Sequence, residues 1–287
     1  MLTEADTQRD VDARQASFRI LKDIAADLSK GEVMFPTFAN AVVKVKKALD
    51  DADMDAGRLA RVISSEPLLS TKLVHIANSA ALNPSGATVS DVKSAVTRVG
   101  FNTVRSVATA VAISQLEKAD DLRKHRARAG AAWRHSVDVA VISFVVAKKM
   151  TQVNPEEALF AGMIHDIGYF YLLSKSSGYP ELDAAPEALD DVLRDWHAPI
   201  GQSVLHAYQL SDATLAAVVQ HEDGRFSSPP RTICDVVAIA NIVTANSNPI
   251  YLREGVSAPE IAVEPEIFKV LADSDAEIRQ LVSALQP

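Results

Sequence analysis

Apolar residues in the first part of the chain recur every three or four positions, a spacing typical of α-helices. The first such stretch begins at Phe18, and its apolar face consists of Phe18, Leu21, Ile24, Ala25 and Leu28. We predict that Gly31 ends this helix and that Phe35-Pro36-Thr37 begins the next, which reaches about Leu49. Residues 1–17 are polar and predict a flexible tail.

Capping residues mark further helices in the remainder of the first half. The pattern of residues 55–65 predicts a short helix. Pro67 is suited to the first position of a second helix. Ser90 is the expected N-cap of a helix that ends at Gly100. Asn102 is the expected cap of the next helix, whose apolar face consists of Val104, Val107, Ala108 and Val111.

A charged stretch, residues 117–128, separates this half from a second helical block. Residues 129–150 predict a long buried helix. The segment Asn154-Pro155-Glu156-Glu157 combines an N-cap, a proline at the first helical position and a glutamate at the third. We predict that it opens a helix that continues through His165 towards Leu173.

The remaining periodic stretches predict helices over residues 188–208, 211–220, 232–245 and 259–287. No stretch alternates convincingly between apolar and polar residues, so we predict no β-sheet. The expected fold is therefore all-α, with one helical subdomain packed against another. We expect these subdomains over 18–120 and 121–250, followed by a helical extension over 251–287.

Composition and charge limit the classes of partner. The 287 residues are 48% hydrophobic and carry a formal net charge of −8, which opposes bulk attraction to nucleic acid and anionic lipid. The single cysteine, Cys234, fits a reducing compartment. The longest apolar run, 137–147, is too short to span a bilayer, and residues 1–14 lack the apolar segment of a secretory signal. We expect a cytoplasmic protein with no nucleic-acid or membrane partner, in which the basic residues of 118–128 form an exposed face or connector.

Histidines are unevenly placed, and five of the seven lie between residues 135 and 221: His135, His165, His197, His206 and His221. His165 and Asp166 are adjacent and flanked by apolar residues, so we expect the pair to be hydrogen-bonded, metal-bound or both. Asp138 follows His135 by about one helical turn and is a candidate acceptor for its ring. Imidazole and carboxylate ligands suit zinc, iron, nickel or manganese, but a structural role for each histidine stays open.

Several segments resemble sequence motifs of known proteins. Residues 161–168 (AGMIHDIG) resemble the "GLLHDIG" signature of HD-domain phosphohydrolases, and residues 133–136 (WRHS) resemble their upstream "W-x-H-S" segment. Three further segments resemble, in order, motifs of HDOD domains (HD-related output domains): 63–69, 76–80 and 95–100. The resemblance to the HDOD family extends over about 20–245 and implies an HDOD-type helical bundle whose second half is HD-like.

The resemblance also implies a set of metal ligands. Residues 196–201 are similar to the "H-x-x-x-G" motif, and residues 219–222 are similar to the "HHE" motif of the wider HD superfamily. Carried over residue by residue, the candidate ligands of a divalent metal (iron, manganese, nickel or zinc) are His135, His165, Asp166, His197 and His221, with Asn241 at the sixth position. The other histidines match no motif and are expected to be structural or exposed: His75, His125 and His206.

Three positions depart from the catalytic pattern. Asn241 replaces the final aspartate ligand, Tyr169 replaces the lysine that often follows "HDIG", and Gln220 replaces the first histidine of "HHE". Because phosphoryl transfer depends on charge neutralisation by metals and cations, these departures weaken the expected catalysis. The resemblance therefore implies a regulatory module of the response-regulator output kind. We expect it to bind other signalling proteins, with a homodimer as a further option.

Two alternatives remain open at this stage. The first is a metal-dependent phosphohydrolase of nucleotides or cyclic dinucleotides, in which His165 and Asp166 would belong to the catalytic centre. The second is a nucleic-acid-binding helix-turn-helix over 92–112, whose second helix offers only Arg105 as an exposed cation. Two packed core helices explain that segment better, because the chain is acidic.

Overall fold

A computed structural model of the chain describes residues 4–30, 44–45, 47–117, 119–206, 210–252, 257–258 and 260–286. Within these residues the structure contains helices and no β-strand, so the predicted all-α class is confirmed. No helix in this part of the chain has the length and apolar character needed to cross a membrane. Most of the helix predicted from Phe35 to Leu49 lies outside the described residues.

The α-helices are α1 (Glu4–Ser29), α2 (Ala56–Ser64), α3 (Pro67–Ala77), α4 (Val92–Glu117), α5 (Arg126–Met150), α6 (Pro155–Ile164), α7 (Ile167–Ser176), α8 (Pro180–Ala184), α9 (Pro186–His206), α10 (Asp212–Gln220), α11 (Ile233–Val243), α12 (Pro265–Asp273) and α13 (Asp275–Leu285). Two short 3₁₀ segments, Asp120–His125 and Ala245–Ser247, precede α5 and follow α11 respectively.

From Glu4 onward the predicted flexible tail is helical, because α1 begins at this residue. Its buried face consists of Ala13, Ala16, Ile20 and Ile24, whereas Phe18, which we placed on that face, is 71% exposed. The two alanines extend the apolar spacing towards the N-terminus, and their small side chains allow α1 to pack against α8 and α9. Because most residues of this segment are polar, the sequence alone did not reveal the spacing of its buried residues.

Capping explains most of the other boundaries. The Asn154 side chain accepts hydrogen bonds from the backbone N–H groups of Glu156 (2.9 Å) and Glu157 (3.3 Å), as its sequence context predicts. Gly100 interrupts the helical geometry of α4 with a φ of 78°, although the chain resumes as helix directly afterwards. The cap predicted at Ser90 is instead supplied by Asp91, whose carboxylate accepts from the Ser94 N–H at 2.9 Å.

Helix α5 is the central element, and it contacts α6, α11 and both C-terminal helices. The C-terminal helix α13 lies across α3, α4 and α5, and it buries Leu281, Ala284 and Leu285. An ion pair between Lys148 and Glu277 (2.8 Å) fixes it to the end of α5. The residues after the HD-like half are thus part of the same packed body.

Candidate metal centre

The structure brings all six candidate ligands together in the core. They come from α5, the α6–α7 junction, α9, the end of α10, and α11. None is more than 4% exposed: His135, His165, Asp166, His197, His221 and Asn241. Their role as metal ligands stays a prediction.

His165 and Asp166 lie at a break between two helices. We predicted one continuous helix through His165, but α6 ends at Ile164 and α7 begins at Ile167. Asp166 leaves the helical region with φ −99° and ψ 18°. The break turns the carboxylate towards residues of α9 and α10, which a straight helix would not place beside it.

Two glycines flank this break and allow close helix crossings. A Cβ atom at Gly162 would lie 2.7 Å from the Ala140 Cα, so α6 and α5 touch through their backbones. A Cβ atom at Gly168 would lie 1.9 Å from the His197 carbonyl oxygen, so α7 and α9 touch as well. The first crossing sets the His165 ring 5.2 Å from the His135 ring, measured between centroids. The second brings His197 to Asp166.

Three of the histidines make the same kind of backbone hydrogen bond. The Nδ1 atoms of His165, His197 and His221 lie 2.7, 2.9 and 2.7 Å from backbone carbonyl oxygens three or four residues earlier. A carbonyl oxygen only accepts, so each Nδ1 carries a proton and donates it. In the neutral ring each Nε2 then presents a lone pair, and these atoms are directed at Asp166.

The Nε2 atoms and the Asp166 oxygens are close without being hydrogen-bonded. Asp166 Oδ1 lies 3.5 Å from His197 Nε2 and 3.4 Å from His221 Nε2, and Asp166 Oδ2 lies 3.4 Å from His165 Nε2. Both carboxylate oxygens and His165 Nε2 are sealed from solvent without a hydrogen-bond partner. Buried acceptors of this kind are rare unless a cation lies among them. The residues therefore fit a transition metal with nitrogen and oxygen ligands.

The ligand atoms form two groups that share Asp166. One group is His135, His165 and Asp166, and the other is Asp166, His197 and His221. Within each group the candidate atoms lie within 4.8 Å of one another. We call the first the α5 subsite and the second the α9 subsite.

The electrostatics of the cluster favour a positively charged group beside Asp166. Burial opposes ionisation of Asp166, but the imidazoles of His165 and His221 outweigh burial and hold the pKa of this carboxyl well below its usual range. Burial likewise disfavours the charged ring of His221, yet the Asp166 carboxylate, 3.4 Å from its Nε2 atom, raises the pKa of His221. Burial lowers the pKa of His197, and it lowers that of His135 to about 4.

Asn241 takes part in hydrogen bonds that an aspartate could not make. Its amide nitrogen donates to the Glu222 carboxylate at 3.1 Å and to the His221 carbonyl oxygen at 3.3 Å. Its amide oxygen lies 2.9 Å from His135 Nε2 and accepts from the Asn248 amide nitrogen at 3.3 Å. Asn241 is thus held on both sides by protein groups.

Glu222 is a residue of the site that the sequence reasoning missed. Besides Asn241, its carboxylate accepts from the Asn248 amide at 3.2 Å and from the Tyr251 hydroxyl at 2.6 Å. Its position directly after His221 was a usable signal. Asn248 and Tyr251 lie beyond any recognised motif, and no sequence signal pointed to them.

The expected contact between His135 and Asp138 is absent. His135 Nδ1 instead lies 3.3 Å from the Ser247 hydroxyl oxygen, and the Asp138 carboxyl hydrogen-bonds to the same serine. Ser247 belongs to the 3₁₀ segment after α11, and its hydroxyl contacts both side chains. Sequence spacing along α5 could not reveal this third residue.

Tyr169 occupies the position of the missing lysine. Its hydroxyl hydrogen-bonds to Arg128, which also forms an ion pair with Asp190. Tyr169 is buried, and burial raises the pKa of its hydroxyl. The cation that it contacts is therefore already engaged by another carboxylate.

The unassigned histidines lie elsewhere, as expected. His125 is buried, with Nε2 3.1 Å from the Ser176 hydroxyl oxygen and 3.4 Å from the Asp183 carboxylate. His75 and His206 are exposed.

A small cavity lies beside His221, Glu222, Asn241 and Tyr251. Its volume is about 10 Å³. This is roughly the space needed for one water molecule. A phosphodiester does not fit into it.

Residues 35–224 match the sequence model of the HDOD domain, which covers more than half of the chain. The chain belongs to the HDOD family. A curated protein of Treponema pallidum (strain Nichols), itself uncharacterised, is 22% identical to this HDOD chain over 214 residues. The match covers 70% of the HDOD chain but only 40% of that relative's length.

Solved structures share the fold. A protein of Shewanella amazonensis SB2B, provisionally named a metal-dependent phosphohydrolase, superposes with a TM-score of 0.73 at 21% identity, covering 95% of the HDOD chain and 100% of that protein. An HDOD domain protein of unknown function from Geobacter sulfurreducens gives 0.57 at 19% identity, covering 92% and 96%. A Marinobacter aquaeolei VT8 protein, provisionally named a signal transduction protein, gives 0.58 at 15% identity, covering 94% and 66%.

Proposed function

We propose that this HDOD chain is a signalling module that acts by binding other proteins and does not hydrolyse phosphodiesters. The observation that carries the proposal is the closure of the His/Asp centre. His135, His165 and Asp166 have no measurable exposure, and His197 and His221 are 1% exposed. A substrate phosphorus atom would have to reach these residues to react.

The chemistry of the neighbouring residues supports the same proposal. A catalytic centre for phosphoryl transfer needs cations and free ligand atoms around the phosphate. Here Asn241 is held by Glu222 and His135, and the nearby cation Arg128 is paired with Asp190. Neither group is free to bind a phosphate oxygen.

A metal in this centre would have a structural role. Held by Asp166 and the histidines, it would supply the positive charge that the buried acceptors lack. The ligands come from α9, α10 and the α6–α7 junction, so such an ion would tie these elements together. The chain's own residues already orient the rings through their carbonyl contacts.

The alternative function is a metal-dependent phosphohydrolase. The complete set of buried acceptors around Asp166 favours it, and so does the provisional name of the Shewanella protein with the same fold. In this alternative an opening of the structure would have to expose the centre to substrate. Asn241 and Tyr169 weigh against it.

The deciding experiment measures hydrolysis. The purified chain is incubated with Mn²⁺, Fe²⁺ or Zn²⁺ and a panel of linear and cyclic phosphodiesters, beside His165→Ala, Asp166→Ala and the control His206→Ala. We expect no turnover that depends on His165 or Asp166. Turnover that persists in the His206→Ala control and vanishes in His165→Ala would establish the phosphohydrolase instead.

The binding role is tested separately. Proteins captured from the native host are purified and recombined with the chain, and complex formation is measured by light scattering during size-exclusion chromatography. We expect a defined hetero-complex. A chain that forms none with any purified candidate, while it hydrolyses a phosphodiester, would contradict the proposal.

A further inference from the structure

We infer that the centre binds one divalent transition-metal ion, at the α9 subsite. The hydrogen bond with Asn241 prevents His135 from acting as a metal ligand through Nε2 in the α5 subsite. This inference rests on the proposed function, because it describes the same centre in its structural role. It follows from the direction of individual hydrogen bonds around Asn241.

The orientation of the Asn241 amide is fixed by its neighbours. Its nitrogen faces the Glu222 carboxylate (3.1 Å) and the His221 carbonyl oxygen (3.3 Å), and both of these groups can only accept. Reversing the amide would set its oxygen against two other oxygens. The amide oxygen therefore faces His135 Nε2 at 2.9 Å.

His135 must then donate from Nε2, because the Asn241 oxygen can only accept. The lone pair of the neutral His135 ring is at Nδ1, which faces the Ser247 hydroxyl at 3.3 Å. Its three partners His165, His197 and His221 have the opposite tautomer, with Nδ1 donating to a carbonyl oxygen. His135 is the histidine of the cluster that offers no lone pair at Nε2.

The α9 subsite has the spacing of a metal site already. His197 Nε2 and His221 Nε2 lie 3.1 Å apart, and both lie 3.4–3.5 Å from Asp166 Oδ1. Four ligand atoms arranged tetrahedrally at about 2.0–2.1 Å from zinc are about 3.3–3.5 Å from one another. Two neutral rings with facing lone pairs repel, so a cation between them relieves that repulsion.

Glu222 explains why asparagine suits position 241. An aspartate there would face the partly exposed Glu222 carboxylate at about hydrogen-bond distance, and two adjacent carboxylates without a shared cation repel. The amide instead supplies a donor to Glu222. Asn241 and Glu222 are therefore complementary, and the pair holds the α5 subsite in a state without a second metal.

The test is metal stoichiometry with Zn²⁺ as the probe, measured by mass spectrometry of the metal after equilibrium dialysis. We expect about one ion per chain for the wild type, for His135→Ala and for the exposed control His206→Ala. His197→Ala and His221→Ala should lose the ion. Two ions in the wild type, no binding in the wild type, or loss of the ion in His135→Ala would overturn the inference.

The role of Asn241 is tested by restoring the aspartate. The double variant Asn241→Asp/Glu222→Gln avoids the facing carboxylates, and we expect it to bind about two zinc ions. A folded double variant that still binds one ion would refute the assignment to Asn241. If it does not fold, ¹⁵N NMR of the wild-type imidazoles decides the question. His135 should be protonated at Nε2, and protonation at Nδ1 would overturn the inference.

These outcomes are independent of the hydrolysis assay. A chain with one zinc ion that turns over a phosphodiester would contradict the proposed function and leave the subsite assignment intact. An inactive chain that binds two zinc ions would contradict the subsite assignment and leave the proposed function intact.

Discussion

Gly168 and Gly201 meet where α7 crosses α9, and a Cβ atom on Gly168 would lie 2.5 Å from the Gly201 backbone nitrogen. The crossing leaves no room for a side chain on α7. Gly168 follows Asp166 by two residues, and Gly201 follows His197 by four residues on α9. The crossing thereby sets the distance between the Asp166 carboxylate and the His197 ring.

Gly168→Ala should destabilise the protein, because the added methyl group would overlap the backbone of α9. Overpacking against backbone costs on the order of 3 kcal/mol. Gly178→Ala is the matched control, since a Cβ atom there would meet the Lys175 carbonyl oxygen at an ordinary 3.6 Å. Urea unfolding of both variants checks this, and equal stabilities would contradict the backbone contact.

Asp166→Ala should remove the stabilisation that Zn²⁺ gives to the folded chain. An ion bound to the folded state at a hundredfold excess over its Kd stabilises by about 2.7 kcal/mol. We expect Zn²⁺ to raise the Tm of the wild type and of His206→Ala, and to leave Asp166→Ala unchanged. In EDTA the same variant should be less stable than wild type by roughly 1–3 kcal/mol, because His221 loses the nearby carboxylate that raises its pKa. An unchanged Tm in EDTA would show that the cluster is not structural.

Because of His125, the free energy of unfolding should decrease as the pH falls. Burial lowers its pKa below the ordinary 6.5, and the nearby Asp183 only partly offsets this. Between the lowered folded pKa and 6.5 the unfolded chain binds a proton that the folded chain does not, so stability declines as pH falls through this window. His125→Gln should reduce the slope of unfolding free energy against pH below 6.5. The comparison is made in EDTA, and an unchanged slope would count against this origin.

Leu281→Ala should destabilise the whole chain, because α13 packs on helices of both halves. Leu281 is 1% exposed, and truncation of a buried leucine costs roughly 2–5 kcal/mol. The exposed neighbour Ser283 supplies the control Ser283→Ala. Chemical denaturation should show one shifted transition for Leu281→Ala, and no shift would mean that α13 contributes little.

The helical fold and the family were predictable because they depend on local signals. The Asn154 cap and the apolar face of α4 can be recognised from a few neighbouring residues. The histidines of the centre could be named from motif resemblance, and the structure places them together.

Other features depend on contacts between distant segments and left no local signal. The break before Asp166 follows from two helix crossings, and α1 is stabilised by α8 and α9 rather than by its own polar composition. The hydrogen bonds of Asn241 with Glu222 and Asn248 require α11 and the loops around it to be placed first. Sequence spacing does not contain that information.

The hydrogen bond between His135 and Asn241 joins residues 106 positions apart. Contacts of such high sequence separation form only after the intervening chain has closed, and loop-closure entropy makes them slow. Helices α5 and α6 can pair early in folding. The complete His/Asp centre forms only when α9, α10 and α11 have also reached their native positions. Assembly of the centre should therefore be among the last steps of folding, so that capture of a metal ion would report that the second half has reached its native topology.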